Sequence, residues 1–412
     1  MDTVVALKNT LTAQDLALLR KAGEATHAAG MRLYLVGGAV RDALLGRQVL
    51  DTDFDIVVEG SAHKAVQVLT KALNALVRAQ SQFGTVKLHT PGRALDLATS
   101  RTERYVHPGA LPSVQPAAIG DDLWRRDFSI NAMAVALWPS DFGTLLDPTG
   151  GQGDVQRGVL RALHSESFQD DATRILRAVR YASRLSFRIE RRMLGWLKRD
   201  LRYLDAISPV RLRNEMERLL EETDASACLR LARRLGVLTA VHPSLGHADV
   251  GRAIQASRRV QPSVLLLLAL LTYGCDPADI DGLSGRLALT NEQRKVVKDT
   301  QSVKALEPHL AYPRLLPHQV VDAMRGMASD AVQSASLLAN ERLVKNRFSR
   351  FVDSWSHIEP ALTGGDLTRL EVPPGPLMGT LLDELRDARI DGRIRSAQAE
   401  IKYVKRWLRQ VQ

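Results

Sequence analysis

The sequence predicts an α+β protein, with a small mixed-sheet head followed by a long all-helical body and tail. Strand-like apolar runs and their glycine turns are confined to about the first 140 residues. Beyond Ser165 the apolar residues recur at helical spacing, with breaks at Pro209, Pro243, Pro262, Pro313 and Pro373. Leu, Ala and Arg dominate and aromatics are only 5% of the 412 residues, a composition that favours helix.

Thr12 and Asp15, in capping-box spacing, open a helix that closes at Gly30. Leu33 to Val36 reads as a strand, Gly37-Gly38 as a turn, and AVRDALLG as a helix. A second apolar run then carries acids at alternate positions, Asp51, Asp53 and Asp55, with Ile56-Val57-Val58 continuing the strand. Ser61 starts an amphipathic helix expected to reach about Val77. Two strands, Thr85 to His89 and Ala94 to Ala98, flank the turn Pro91-Gly92. Residues 101–120 are rich in Pro, Gly, Ser and Ala and read as a mobile loop. Leu145 to Leu163 reads as a turn between head and body. The most apolar run, Val264 to Leu271, is far short of a bilayer span and reads as a buried helix.

The formal charge of +10 points towards a polyanionic partner. Cys228 and Cys275 are too few and too far apart for a disulfide framework or a cysteine zinc site, which fits a reducing cytoplasm. The N-terminus MDTVVALKNT lacks the features of a signal peptide, and no membrane role is indicated. His242 and His247 have no further ligands at metal-site spacing and read as packing or surface histidines.

Glycines before a helix let backbone N–H groups approach phosphate oxygens. Residues two apart on a strand share a face, so Asp53 and Asp55 can together hold hard divalent cations, with Asp51 and Asp53 as the competing pair. Asp96, on a neighbouring strand, suits a general base or a shared metal ligand. In Arg125-Arg126-Asp127-Phe128-Ser129-Ile130-Asn131 the arginines supply planar donors for a triphosphate, and the carboxylate and amide supply partners for a ribose. In Asp170-Asp171-Ala172-Thr173-Arg174, helical spacing lets Asp171 and Arg174 project together and imitate a base's pairing partner, with Arg177 one turn on. Asp170 is expected to cap the helix, and Arg211 to pair with Glu215. Taken singly, these features also describe turns, solvated strand edges and capped helices.

Together they resemble one family. GGAVRD followed by DFDIVVEG is similar to the first signature of the DNA-polymerase-β-like nucleotidyltransferases. In particular it resembles the class II tRNA nucleotidyltransferases, or CCA-adding enzymes, and the bacterial poly(A) polymerases. RRDFSINA resembles their second motif, and DDATR followed by LRAVRYASRLSF resembles their EDxxR segment, with Asp170 in place of Glu. The resemblance implies Mg²⁺ on the catalytic Asp53 and Asp55, and Asp96 as third catalytic acid. It implies nucleotide contacts from Gly37, Gly38, Arg41, Arg126, Asp127, Asn131, Asp171, Arg174 and Arg177. Residues 1–140 would form a catalytic head, 141–225 a neck with nucleotide-selecting helices, 226–350 a helical body and 351–412 a basic, tRNA-binding tail. The segment 145–163 would be a hinge and the helix from Ser208 a support. The implied activity is cytoplasmic, template-independent addition of C and A to the 3′ end of tRNA from CTP and ATP, with no protein partner. A-adding, CC-adding or poly(A) polymerases are the near alternatives, and a non-catalytic RNA-binding protein the distant one. The family's CC-only members tend to shorten the loop that here spans Arg101 to Trp124, which favours CCA or A addition.

Overall fold

The computed structural model describes residues 3–49, 53–80, 85–107, 109, 112–247 and 250–411. The chain divides into two compact units, Met1–Ala240 and Val241–Gln412.

The first unit opens with helices α1 (Thr3–Thr10) and α2 (Ala13–Ala28), the latter closed at its N-terminus by the reciprocal Thr12/Asp15 capping box. Then follow β1 (Arg32–Val36), α3 (Gly38–Leu44), β2 (Asp53–Glu59), α4 (Ala62–Leu73), β3 (Leu76–Gln80), β4 (Val86–Thr90) and β5 (Arg93–Thr99). The helix from Ser61 is shorter than its apolar spacing predicts. It ends at Asn74, whose left-handed conformation (φ 51°) turns the chain, and Val77 belongs to a strand instead. Next come β6 (Arg101–Arg104), β7 (Ser113–Pro116), α5 (Ile119–Trp124), β8 (Ala134–Ala136) and β9 (Leu145–Leu146). The stretch read as a mobile loop is therefore largely a hairpin, with Arg101 paired to Pro116 and Arg104 to Ser113. Arg101 and Glu103 on this hairpin also bind α5, a tie that local composition does not reveal.

The sheet order is β3-β4-β5-β2-β1-β8-β9. Only β2 and β5 run parallel; the other neighbours are antiparallel. Leu33, Leu35, Phe54, Ile56 and Val58 are buried on one face. On the other, Tyr34, Val36 and Val57 pack with Ile119, Leu123, Ala132 and Ala134. This alternation places Asp53 and Asp55 on one side of the end of β2.

The predicted turn at 145–163 holds β9, α6 (Gly151–Arg157) and β10 (Val159–Leu160). Asp147 caps α6 through the backbone N–H groups of Gly151 (2.7 Å) and Gln152 (2.9 Å). Buried Asp154 accepts from the Ser129 hydroxyl at 2.6 Å and from Arg157 and Arg161. These bonds lock α6 against the single 3₁₀ turn Ser129–Asn131. The remaining elements used below are α7 (Ser167–Asp170), α8 (Thr173–Leu185), β11 (Arg188–Ile189), α9 (Arg191–Asp200), α10 (Pro209–Leu220) and α11 (Ala225–Arg234). The two-residue strand β11, parallel to β10, is an addition to the all-helical reading beyond Ser165.

The second unit is helical among its described residues. Its apolar helix Val264–Thr272 is buried almost throughout, and no described helix is long and apolar enough to cross a membrane. Helices Gly364–Arg369, Pro376–Ile390 and Ala397–Val411 share a core of Leu367, Leu381, Leu385 and Val404. Fully buried Glu400 accepts from the backbone of Ala361 and Leu362 and from Arg389. Both cysteines are buried free thiols.

Gly23 is where α2 meets the sheet: a Cβ there would stand 1.9 Å from the Leu137 carbonyl oxygen. Gly23→Ala is therefore expected to destabilise the protein by about 1–3 kcal/mol in urea unfolding, against the gain in helix propensity.

Candidate active site

Three acids occupy neighbouring strands. Asp55 stands opposite Asp96 in the parallel β2–β5 register, and Lys87 on β4 stands opposite Asp96 from the other side. The Lys87 ammonium lies 2.5 Å from Asp53 Oδ2 and 3.6 Å from Asp96 Oδ1. Burial pushes the Asp96 carboxyl above its ordinary value, Lys87 opposes the shift and the Asp53 charge adds to it. These side chains offer only carboxylate oxygens, the donor type that hard divalent cations prefer, and the ammonium already stands there as a positive charge. Among the described residues no group of three or more His, Cys, Asp or Glu side chains is drawn together tightly enough to enclose a metal ion. Asp51, the competing acid, lies outside the described residues.

Beside the acids is a cavity of about 300 Å³ with a mostly polar lining. At its edge the chain passes through Gly37 with φ 73°, and a Cβ would stand 3.4 Å from Asp55 Oδ2 and 3.6 Å from Arg126 Nη1. Those distances are ordinary contact, so it is the positive φ that calls for glycine.

The RRDF segment builds the second wall. Asp122, fully buried, takes Arg125 at 2.7 Å and Arg126 at 3.0 Å, one turn along from each. Burial raises its carboxyl, but the two guanidiniums outweigh that and hold it below the ordinary range. Arg125 also reaches Glu103 at 3.0 Å, and Tyr105 donates to Glu103 at 2.8 Å. Asp127 is buried and receives Arg177 Nε at 2.9 Å and Nη2 at 2.5 Å, the Phe128 N–H at 2.8 Å and the Asn131 amide at 3.2 Å. Desolvation favours its protonated form, yet the charge and hydrogen bonds of Arg177 keep the carboxyl below its ordinary value. Asn131 in turn accepts from Arg41 at 2.7 Å.

Helix α8 supplies the third wall. Arg174, Arg177 and Tyr181 share one face at i, i+3 and i+7 spacing and all line the cavity. Arg174 donates to the Ser167 hydroxyl at 2.8 Å and to the Arg125 carbonyl at 2.8 Å. Asp171 stands before the helix in extended conformation, not on it. It takes the capping role expected of Asp170 by accepting from the Thr173 N–H (3.0 Å) and hydroxyl (2.7 Å). Asp170 instead faces His164 at 3.5 Å. Arg211 reaches both Asp171 oxygens at 2.9 Å, replacing the expected pair with Glu215, which binds Arg218 at 2.7 Å.

Gly37, Gly38, Asp55, Arg126, Asp127, Asn131, Asp171, Arg174 and Arg177 thus meet around one cavity. Arg41 is buried behind Asn131, and Asp53 and Asp96 lie in the strand cluster rather than in the lining. Sequence reasoning missed Glu103, Tyr105 and Tyr181 in the lining and Asp122 beneath it. Asp122 had a signal, since it sits three and four residues before the two arginines. Tyr181 had one as well, lying four residues after Arg177 on the same helix face, whereas Glu103 and Tyr105 had none. His242 meets Ser244 at 2.7 Å, as a packing histidine does, and the His247 side chain is outside the described residues. In the second unit Lys402, Lys405, Arg406 and Arg409 are exposed along the last helix.

A strand-borne acid cluster thus lies beside an arginine-lined cavity on a mixed sheet. Residues 33–161 match the family described as "Poly A polymerase head domain", and residues 186–248 that described as "Probable RNA and SrmB- binding site of polymerase A". An A-adding tRNA nucleotidyltransferase of Halalkalibacterium halodurans is 30% identical over 98% of this chain and 95% of its own length. A CC-adding tRNA nucleotidyltransferase of Deinococcus radiodurans is 33% identical over 93% of this chain and 90% of its own. The chain spans 48% of the A-adding relative from Geobacter sulfurreducens, to which it is 30% identical. The Thermotoga maritima CCA-adding enzyme complexed with tRNA superposes with a TM-score of 0.80 over 99% of both chains, at 27% identity. The chain belongs to the tRNA nucleotidyltransferase family of CCA-adding enzymes.

Replacing Arg177 with Met strands a buried carboxylate. The variant is expected to lose about 3–5 kcal/mol at neutral pH, measured by urea unfolding. Because the Asp127 carboxyl is depressed by its partner, the pair stabilises above the ordinary carboxylate range and fades as pH falls through the folded value. The gap between R177M and the parent should therefore narrow on acidification.

Proposed function

We propose that this chain adds C and A to the 3′ end of tRNA from CTP and ATP, without a nucleic acid template, and releases pyrophosphate. The observation that carries this reading is the single cavity around which the Gly37 turn, the RRDF segment and α8 converge. The RNA 3′-hydroxyl oxygen bonds to the α-phosphorus of the nucleotide as the bond to pyrophosphate breaks. Asp96, its carboxyl raised by burial, is the group suited to take the hydroxyl proton. Asp53 and Asp55 would hold Mg²⁺, which supplies charge stabilisation to the attacking and leaving oxygens. Gly37, Gly38 and Arg126 serve the triphosphate and Asp127 and Asn131 the sugar side, while Arg41, buried behind the lining, orients Asn131, and Arg177 fixes Asp127. Asp171 and Arg174 face the base; Arg211 and Thr173 orient the carboxylate, and Ser167 and the Arg125 carbonyl orient the guanidinium.

In the same reading 1–140 is the catalytic head, 141–225 the neck, 226–350 the body and 351–412 the tail. The exposed Lys402, Lys405, Arg406 and Arg409 contact tRNA phosphates, and the protein works in the cytoplasm. Addition of A alone or of CC alone is the second reading, since near full-length relatives of both kinds match, the A-adding one of Halalkalibacterium halodurans and the CC-adding one of Deinococcus radiodurans.

Purified protein, offered tRNA lacking CCA or ending in CC with labelled CTP and ATP, distinguishes these. CCA addition predicts two C and one A on the first substrate. A-adding activity predicts incorporation only on the CC-ended tRNA, long A tails on unrelated RNA would mark a poly(A) polymerase, and no incorporation from either nucleotide would sink the enzymatic reading. Asp53→Ala should lower incorporation by about 10³-fold or more while tRNA binding in a filter assay persists. Arg174→Ala should cut discrimination against UTP and GTP by about tenfold, with RNA affinity little changed.

A further inference from the structure

Lys87 has no part in the nucleotide cavity, yet its ammonium stands between two of the three acids. It is 2.5 Å from Asp53 Oδ2 and 3.6 Å from Asp96 Oδ1, and its side chain is only 40% exposed. Strand register puts it there, since Lys87 faces Asp96 on β5, which faces Asp55 on β2. An ammonium at this distance fills one of the directions from which Asp53 Oδ2 could bind a cation. Two cations sharing that oxygen would also stand close enough to repel each other strongly in a half-buried site. Lysine is suited to yield, because its charge rides on a flexible four-carbon stem that can swing into solvent.

We propose that Lys87 is a built-in competitor for the divalent cation. In the nucleotide-free protein its ammonium neutralises the acid cluster, holds Asp53 and Asp96 together and keeps the affinity for free metal low. Metal binding then requires Lys87 to leave, and the negative charge of a bound triphosphate favours the exchange. Lys87 is thus a positioning residue that acts through Asp53. The inference rests on the reading of Asp53 as a metal ligand.

The test is Mn²⁺ binding to the full-length, nucleotide-free protein, read from the free-Mn²⁺ electron paramagnetic resonance signal. Lys87→Met keeps the stem and removes the charge, and is expected to tighten Mn²⁺ binding by about tenfold. Lys87→Arg keeps the charge and should bind within about twofold of the parent. Equal or weaker binding by K87M overturns the proposal, as does K87R tightening as much as K87M. Asp53→Asn separates the two levels. If it weakens Mn²⁺ binding while K87M matches the parent, only the role of Lys87 fails. If it leaves Mn²⁺ binding unchanged, the metal assignment fails and the competitor role with it.

Discussion

The site depends on one buried ion pair, Arg177 with Asp127. A carboxylate removed from water demands a partner, and here a single guanidinium from α8 meets it through two donors. The pair fixes α8 in register against the turn that follows α5. Once that register is set, Arg174 falls within reach of the Arg125 carbonyl, Tyr181 lies edge-on to Phe128 at 5.9 Å, and the Asn131 amide is held between Asp127 and Arg41. Loss of Arg177 would leave the Asp127 carboxylate charged and desolvated, so the segments cannot slide without large cost.

The same logic recurs with other acids. Asp122 orders Arg125 and Arg126, Asp154 orders Arg161 and the Ser129 turn, and Asp171 is ordered by Arg211. Guanidiniums aligned before a substrate arrives need little reorganisation when negative charge develops, which is how fixed dipoles and charges assist a transfer reaction. The arrangement also explains how so basic a chain keeps its arginines in place, since buried Asp122, Asp127 and Asp154 each restrain a nearby cation.

Much of this was legible in the sequence because it is local. The Thr12/Asp15 cap, the glycine turn at Gly37 and the alternation of Asp53 with Asp55 depend on residues a few positions apart, and periodicity reports such features directly. The strand β3 was hidden because Leu76 and Val77 continue the apolar spacing of α4, and only the left-handed Asn74 separates them. The β6–β7 hairpin was hidden by its proline- and serine-rich composition, since its stability comes from Glu103 and Arg101 meeting α5. The partner of Asp171 lies on α10, 40 residues away, where no spacing rule reaches, whereas Glu215 was the local guess for Arg211. The family motifs supplied what periodicity could not: which of many charged residues meet at one cavity.

The parallel pairing of β2 with β5 has a consequence for how the chain acquires its site. Antiparallel neighbours can zip from a short turn, but Asp55 meets Asp96 only after α4, β3 and β4 have crossed over between them. Closing such a loop costs entropy before any contact returns it, so this pairing should form late in folding. During synthesis the acid cluster stays open until β5 has emerged, and the cavity stays incomplete until α8 follows. A nascent head would carry the recognisable glycine turn well before it could hold a nucleotide.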